Sequence, residues 1–201
     1  MNIIEGNLLT LLLQIIRLVF NAYILILLLR FLFQKIQVSW HNPISQFIIK
    51  LTEKPLQPFR KIVRGVAGFD LSIILFAVIL QLVESILFFG LLLNGKFPHL
   101  LGALIITVAS ILNKFMNIYF YAIIIGAIAS WIPSLQKNPA MDVVFRLTEP
   151  MLSRIRRIIP PIANIDLSPL FALLGLMLLT ALIISPMTFI GTKFIFHAVT
   201  S

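Results

Sequence analysis

Four long apolar runs restrict what this sequence can fold into more than any other feature. A hydrocarbon core about 30 Å thick requires about 20 apolar residues per helix, and the runs at 8–33, 71–93, about 108–132 and 167–190 meet that length. Only 11% of the residues are charged and the mean hydropathy is +1.05, whereas soluble domains have about 25% charged residues. The chain is therefore predicted to be an all-α, polytopic membrane protein with about four transmembrane helices.

The second constraint is an internal repeat. A shift of 96 positions aligns residues 42–72 with 138–168 without a gap, and 12 of the 31 positions are identical, against about 2 or 3 expected from composition. The clearest matches pair Asn42, Pro43, Thr52, Glu53, Asp70 and Ser72 with Asn138, Pro139, Thr148, Glu149, Asp166 and Ser168. We predict two units, residues 1–96 and 97–201, which enter the membrane in the same orientation because each holds two spans.

The apolar runs of the last two spans do not by themselves define where these spans end. Apolar residues before the third span begin at Leu100, but a helix from there to residue 132 would be longer than one ordinary span requires. Upstream of the aligned segment the repeat offset becomes 100, which maps the first span onto residues from about 108. In the fourth span, Pro169 and Pro186 suit the two ends of a helix better than its middle.

The basic residues are distributed unevenly among the loops. Six Lys or Arg residues lie between spans 1 and 2 and five between spans 3 and 4, whereas the intervening loop has only Lys96. The positive-inside rule therefore predicts that the two basic loops are cytoplasmic and both termini periplasmic. The net charge of +9 reflects this topology, and no nucleic acid partner is expected, since most aromatic residues lie inside apolar runs.

Each basic loop is predicted to contain an amphipathic helix that begins at its Asn-Pro pair. The apolar residues that follow with i, i+3, i+4, i+7 spacing are Ile44, Phe47, Ile48 and Leu51, and in the second unit Ala140, Val143, Val144 and Leu147. Pro55, Pro58 and Pro150 are expected to end these helices before the Arg/Lys clusters.

A basic amphipathic helix is typical of a segment that lies along the inner leaflet, with its cations near anionic head groups. The same apolar face could instead pack on the transmembrane bundle, and the two interpretations are compatible. The residues predicted to contact anionic lipid, or an unknown membrane, division or envelope protein, are Lys50, Arg60, Lys61, Arg64, Arg146, Arg154, Arg156 and Arg157.

Four charged residues lie within the spans or at their edges. Arg30 is within a turn of the cytoplasmic end and is expected to snorkel to the interface. Arg17 and Glu84 lie at about the same depth from the outer face, so Glu84 is predicted to pair with Arg17 or, failing that, with Lys114. A structural ion pair is favoured over an ion path in which Glu84 titrates, since one acidic residue is a small basis for a relay.

No pattern in the sequence indicates catalysis. The chain has no cysteine, which excludes thiolate metal sites and cysteine nucleophiles. His41, His99 and His197 are far apart and lack the spacing of a helical metal site, and phosphate-loop, nucleophile-elbow and zinc-protease motifs are missing from the sequence. We therefore expect a protein that is not an enzyme and has no metal and no cofactor.

The duplicated blocks, from Asn42-Pro43 to Asp70-Leu71-Ser72 and from Asn138-Pro139 to Asp166-Leu167-Ser168, resemble the signature of the YggT (YlmG-like) family of small bacterial and plastid membrane proteins. The resemblance covers nearly the whole chain and implies a bacterial inner-membrane protein. Similar proteins have been associated with osmotic tolerance, with cell division or nucleoid distribution and, in plastids, with cytochrome assembly; no catalytic residue is carried over. The chain departs from the family pattern at Lys54, Ile73 and Arg154, where proline is usual.

Two functions from different classes are compatible with these patterns. The favoured one is a structural or adaptor protein that binds anionic lipid or a partner through its basic loops during envelope, division or osmotic processes. The alternative is a small channel or transporter subunit linked to ion homeostasis, for which Arg17 and Glu84 are the support. The second function requires a homo-oligomer, because four helices alone are too few to enclose a pore.

Overall fold

The structure, a computed structural model, describes residues 3–39, 41–63, 65, 69–93, 97–161 and 166–200. The helices are α1 (Ile3–Lys35), α2 (Pro43–Ile62), α3 (Leu71–Leu92), α4 (Leu100–Ser130), α5 (Pro133–Gln136), α6 (Pro139–Ile158), α7 (Ser168–Leu179) and α8 (Ser185–Thr200), with a π-helical turn, Thr180–Ile184, between the last two. Four helical segments are long and apolar enough to cross a bilayer: Thr10–Lys35, Leu71–Leu92, Leu100–Ser130 and Ser168–Phe196. The predicted all-α architecture with four spans is confirmed.

The third span begins earlier than the repeat predicted. Helix α4 starts at Leu100 rather than near residue 108, and it has 31 residues. Its first turns pack against α8, where Ile106 and Ile195 are buried in one apolar cluster. The prediction was wrong because packing on a neighbouring helix stabilises these turns, and a long helix can tilt within the bilayer.

The fourth span was predicted to end near Pro186, but its helix continues well beyond this residue. Proline lacks an N–H group, and its ring clashes with the preceding turn of a regular α-helix. Here that turn, Thr180–Ile184, is π-helical, and the Ser185 N–H donates to the carbonyl of Thr180. The wider turn accommodates the proline, so the helix continues to Thr200.

The amphipathic helices also run through the prolines that were expected to end them. Helices α2 and α6 each have 20 residues and begin at a proline that follows a capping asparagine. Pro55 leaves the Leu51 carbonyl without its helical donor, and the Tyr23 hydroxyl donates to that carbonyl at 3.4 Å. The basic pairs Arg60-Lys61 and Arg156-Arg157 therefore form the last turns of these helices rather than separate segments.

The main core lies where α1, α3 and α4 meet. Its buried side chains include Ile24, Leu27 and Leu28 of α1, Ile73 and Ala77 of α3, and Ile118 and Ala122 of α4. At one end of this bundle α2 and α6 start side by side, because Asn42 Nδ2 donates to the Pro139 carbonyl at 2.9 Å. From this junction each amphipathic helix leads to the second span of its own unit.

Candidate functional site

The repeat motif of the first unit forms one ion-pair network between α2 and α3. Arg60 contacts both acidic motif residues: its Nη1 pairs with Glu53 Oε1, and its Nε lies 2.7 Å from Asp70 Oδ2. Asp70 also caps α3, since its Oδ1 accepts hydrogen bonds from the Ser72 amide, at 3.2 Å, and from the Ser72 hydroxyl. The network ties the last turn of α2 to the first turn of α3.

The aligned residues of the second unit repeat this arrangement. Arg156 forms a bidentate pair with Glu149, with N–O distances of 2.9 and 2.8 Å, and its Nε lies 3.0 Å from Asp166 Oδ2. Asp166 Oδ1 accepts from the Ser168 amide at 2.8 Å. In each unit an arginine and two carboxylates at aligned positions thus form a clamp that joins the amphipathic helix to the span that follows it. The clamp residues are Glu53, Arg60 and Asp70 in the first unit and Glu149, Arg156 and Asp166 in the second.

Arg30 distinguishes the first clamp from the second. Its side chain is only 7% exposed; Nη2 pairs with Glu53, and Nη1 donates to Thr52 Oγ1. The expectation that Arg30 snorkels to the interface was wrong, because α2 provides partners inside the protein. The aligned residue of α4, Ser130, donates to a carbonyl of its own helix instead, so Glu149 has a single arginine partner among the described residues.

These contacts lower the pKa values of the acidic residues. The hydrogen bond from Arg30 is the main cause that holds the pKa of Glu53 below its ordinary value. Partial burial alone would raise the pKa of Asp70, but hydrogen bonds from Ser72 and Arg60 outweigh that effect and lower it. A depressed folded-state pKa means that the clamp stabilises the protein at neutral pH and loses this contribution in acid.

Glu53→Gln is expected to destabilise the protein more than Glu149→Gln. The first change leaves the buried Arg30 without its carboxylate and should cost about 1.5 to 3 kcal/mol; the second removes one exposed pair, worth less than about 1 kcal/mol. The folded-state pKa of Glu53 lies below its ordinary value of 4.5. Glu53 therefore contributes its full stabilisation free energy above a pH of 4.5. The difference from wild type should shrink as the pH falls through the folded-state pKa.

Unfolding of both variants in detergent, followed from pH 7 to pH 3, measures this difference. The aligned position serves as the matched control, since both changes neutralise one glutamate in the same motif. Equal destabilisation by the two variants at pH 7 would contradict a special role for Arg30.

A second polar network lies inside the spans and links α1, α3 and α4. Arg17 Nε lies 3.0 Å from Glu84 Oε1, and its guanidinium stacks over Phe88, 3.7 Å from the ring centroid. The other Glu84 oxygen accepts from Gln81 Nε2 at 2.7 Å, and Lys114 Nζ donates to Gln81 Oε1 at 2.6 Å. The structure brings Arg17 and Glu84 together, whereas Lys114 reaches Glu84 only through Gln81, which the sequence analysis did not single out.

The predicted lipid-contact residues fall into different environments. Arg60 and Arg156 lie in the clamps, and Arg146 pairs with Asp142 of the same helix at 2.9 Å. The exposed members that make no ion pair within the described part of the chain are Lys50, Lys61, Arg154 and Arg157. Arg64 lies outside the described residues.

Helix α2 has a buried stripe and an exposed apolar stripe next to each other. The buried stripe, Ser45, Ile48, Thr52 and Leu56, packs on the bundle. The exposed stripe follows at helical spacing and consists of Phe47, Leu51, Pro55, Pro58 and Ile62. Its first and last members, Phe47 and Ile62, are 60% and 73% exposed. The predicted apolar face is therefore divided, since one side packs on the protein and the other remains uncovered.

The aligned stripe of α6 is partly covered. It comprises Val143, Leu147, Met151, Arg154 and Ile158. Val143 is buried with Phe33 and Val38, at the end of α1, and Leu147 is buried in the main core. The two units therefore differ in tertiary environment although their sequences align.

Comparisons with known proteins agree with this organisation. A family model described as CCB3/YggT matches the chain twice, over residues 9–92 and 105–187, and these tandem matches confirm the internal repeat. The uncharacterized protein PA0392 of Pseudomonas aeruginosa is 35% identical over 165 residues, which cover 82% of this chain and 84% of that protein. The uncharacterized protein YggT of Escherichia coli K12 is 31% identical over 156 residues, 78% and 80% of the two chains. No solved structure matches.

Proposed function

Since the chain belongs to the CCB3/YggT family, whose architecture here is that of a multi-pass membrane protein, we propose that it is a non-enzymatic scaffold of the bacterial inner membrane. Its amphipathic helices α2 and α6 bind anionic lipid at the cytoplasmic surface and present a fixed platform to a partner protein. Envelope assembly, cell division and the response to osmotic stress are the processes in which such a platform would act.

The observation that carries this proposal is the arrangement of side chains around α2. With about 100° between successive residues, the exposed apolar stripe lies beside the buried stripe, and Lys50, Lys54 and Lys61 lie on its far edge. An interfacial helix needs this order, in which apolar side chains enter the bilayer while lysines at the border reach the head groups. Packing on the bundle alone would not account for the exposed side chains of Phe47 and Leu51.

The two clamps support a platform of fixed geometry. Each one joins the end of an amphipathic helix to the start of a span through an arginine and two carboxylates. The surface helices are therefore held to the spans by charged hydrogen bonds as well as by apolar packing. A partner that binds α2 or α6 would encounter a preformed surface and would not have to order it.

The cytoplasmic location follows from the positive-inside rule, because both amphipathic helices lie in loops rich in Lys and Arg. Reporter fusions at Lys61 and Arg157 should therefore report the cytoplasm, and fusions at Lys96 and Ser201 the periplasm. A cytoplasmic report from Ser201 would overturn this orientation.

The lipid preference of the full chain tests the proposal. Reconstituted wild-type protein should restrict spin-labelled phosphatidylglycerol more than phosphatidylcholine, and Lys50→Gln with Lys54→Gln should weaken the preference, since each cation near the surface contributes about 1 kcal/mol. The effect should decrease at high salt. Lys137→Gln with Lys193→Gln removes the same charge away from the stripe and serves as the control. Equal lipid preference in wild type and in the α2 variant would refute the proposal.

A groove between α1, α4 and α6 supports the second candidate, a small oligomeric channel or transporter subunit. The groove has a volume of about 770 Å³, and Asn21, Asn113, Lys114 and Asn117 line it together with Tyr121 and apolar residues. Polar groups at membrane depth often mark a substrate or ion path. Ion flux through the purified protein in liposomes that is lost in Lys114→Gln would favour this function over the scaffold.

A further inference from the structure

A second groove lies between the end of α1 and the C-terminal half of α6. It has a volume of about 1050 Å³; Tyr119, Met151 and Ile155 contribute to an apolar floor, and Lys35 and Arg154 contribute cationic groups. Its position between two helices and next to the amphipathic surface differs from that of the groove around Lys114. An apolar floor with cations at its edge matches the amphiphilic chemistry of a phospholipid.

The charges of this groove are not balanced within the described part of the chain. The other ionic residues that line it are paired: Arg146 with Asp142, and Glu149 with Arg156. Neither Lys35 nor Arg154 makes an ion pair with a described residue. The groove therefore offers two cations to an anionic ligand.

The aligned positions of the two units differ at this groove. Met151 and Arg154 align with Pro55 and Pro58, two members of the exposed apolar stripe of α2. On α6, Leu147, Met151 and Arg154 of the corresponding stripe line the groove, and its fourth member, Arg154, is a cation next to apolar side chains. The exposed apolar stripe of α2 thus corresponds to part of a concave, basic site on α6.

The end of α1 forms the opposite wall. Gln37 adopts a left-handed conformation with φ of 50°, and the Val38 amide donates to the Phe33 carbonyl at 3.1 Å, which is the bonding pattern of a Schellman cap. This cap stops α1 beside α6, so that Lys35 and Gln37 line the groove.

We propose that this groove binds one anionic phospholipid, whose phosphate lies between Lys35 and Arg154 and whose acyl chain follows the apolar floor. The inference rests on the proposed function in one respect, since α6 must lie at the membrane surface. Arginine forms paired hydrogen bonds with phosphate oxygens, and lysine adds a point charge. A basic pocket between helices at the membrane surface is the setting in which anionic head groups bind specifically.

Native mass spectrometry of the full chain in mild detergent tests this site. After incubation with phosphatidylglycerol, cardiolipin or phosphatidylethanolamine, wild-type protein should retain one anionic phospholipid, and the first two arms identify which. Lys35→Gln with Arg154→Gln should reduce the bound fraction about tenfold. Lys137→Gln with Lys193→Gln removes the same charge away from the groove and from the α2 stripe, and it should leave the bound fraction unchanged.

A third variant tests the apolar floor without changing a charge. Met151→Trp places a larger side chain on the apolar floor and should also weaken lipid retention, and its unfolding temperature tests whether the fold persists. Equal loss in the control and groove variants, or no retained anionic lipid in wild type, would overturn the site. Failure of the proposed function gives a different result: the protein would show no general preference for anionic lipid in bilayers, but it would still retain the single lipid.

Discussion

Glu84→Gln is expected to destabilise the protein in detergent by about 3 kcal/mol, the lower end of the cost of breaking a buried ion pair, because the Arg17 side chain is 48% exposed. The Glu84 side chain is 4% exposed, and its carboxylate is the only anion in a network that also contains Arg17 and Lys114. Without it, two cations would remain inside the spans with no compensating charge. Chemical or thermal unfolding of the purified full chain measures the loss.

Two further variants separate a structural pair from a titrating group. Replacing Arg17 and Glu84 together with Gln should cost less than the sum of the single changes, because no charge of this pair is left unpaired. Glu84→Arg with Arg17→Glu should recover stability, since the atoms lie 3.0 Å apart. Unaltered stability in Glu84→Gln would show that the pair contributes nothing and would shift support to the channel function.

Gly102→Ala and Gly191→Ala are each expected to destabilise the packing of α4 on α8 by about 2 to 3 kcal/mol. A Cβ on Gly102 would lie 2.8 Å from the Gly191 carbonyl oxygen and 2.7 Å from Ile195 Cγ1, and a Cβ on Gly191 would lie 2.6 Å from Ile106 Cγ1. The carbonyl belongs to a helix backbone and cannot move without the whole of α8. Small residues allow this kind of close approach between membrane helices.

Gly175→Ala provides the matched control for both variants. A Cβ at this position meets nothing within 4 Å, so alanine should stabilise the helix by about 0.5 to 1 kcal/mol through its higher helix propensity. Unfolding in mixed detergent should therefore order the proteins as Gly175→Ala, wild type and then the two contact variants. If Gly102→Ala behaved like Gly175→Ala, the close helix crossing would not exist in the membrane protein.

The sequence indicates the members of the clamps and of the internal polar network only in part. The repeat identified Glu53, Arg60, Asp70 and their counterparts as related positions, whereas the basic amphipathic pattern assigned Arg60 to lipid contact. In the structure Arg60 bonds to Glu53 and Asp70. Gln81 was overlooked, although it lies one helical turn from Glu84 in an otherwise apolar run, and that spacing could have identified it.

The sequence by itself determined the number of spans, the internal repeat and the equal depth of Arg17 and Glu84. These properties depend on local quantities: the length of an apolar run, the identity of aligned residues and the rise of a helix. Only the tertiary structure decided that α4 begins at Leu100, that α2 and α6 continue through their prolines, and that the α6 stripe is partly covered while the α2 stripe is open. Each of these depends on which helix faces meet, and packing energy between faces can outweigh the local preference of a proline or a helix end.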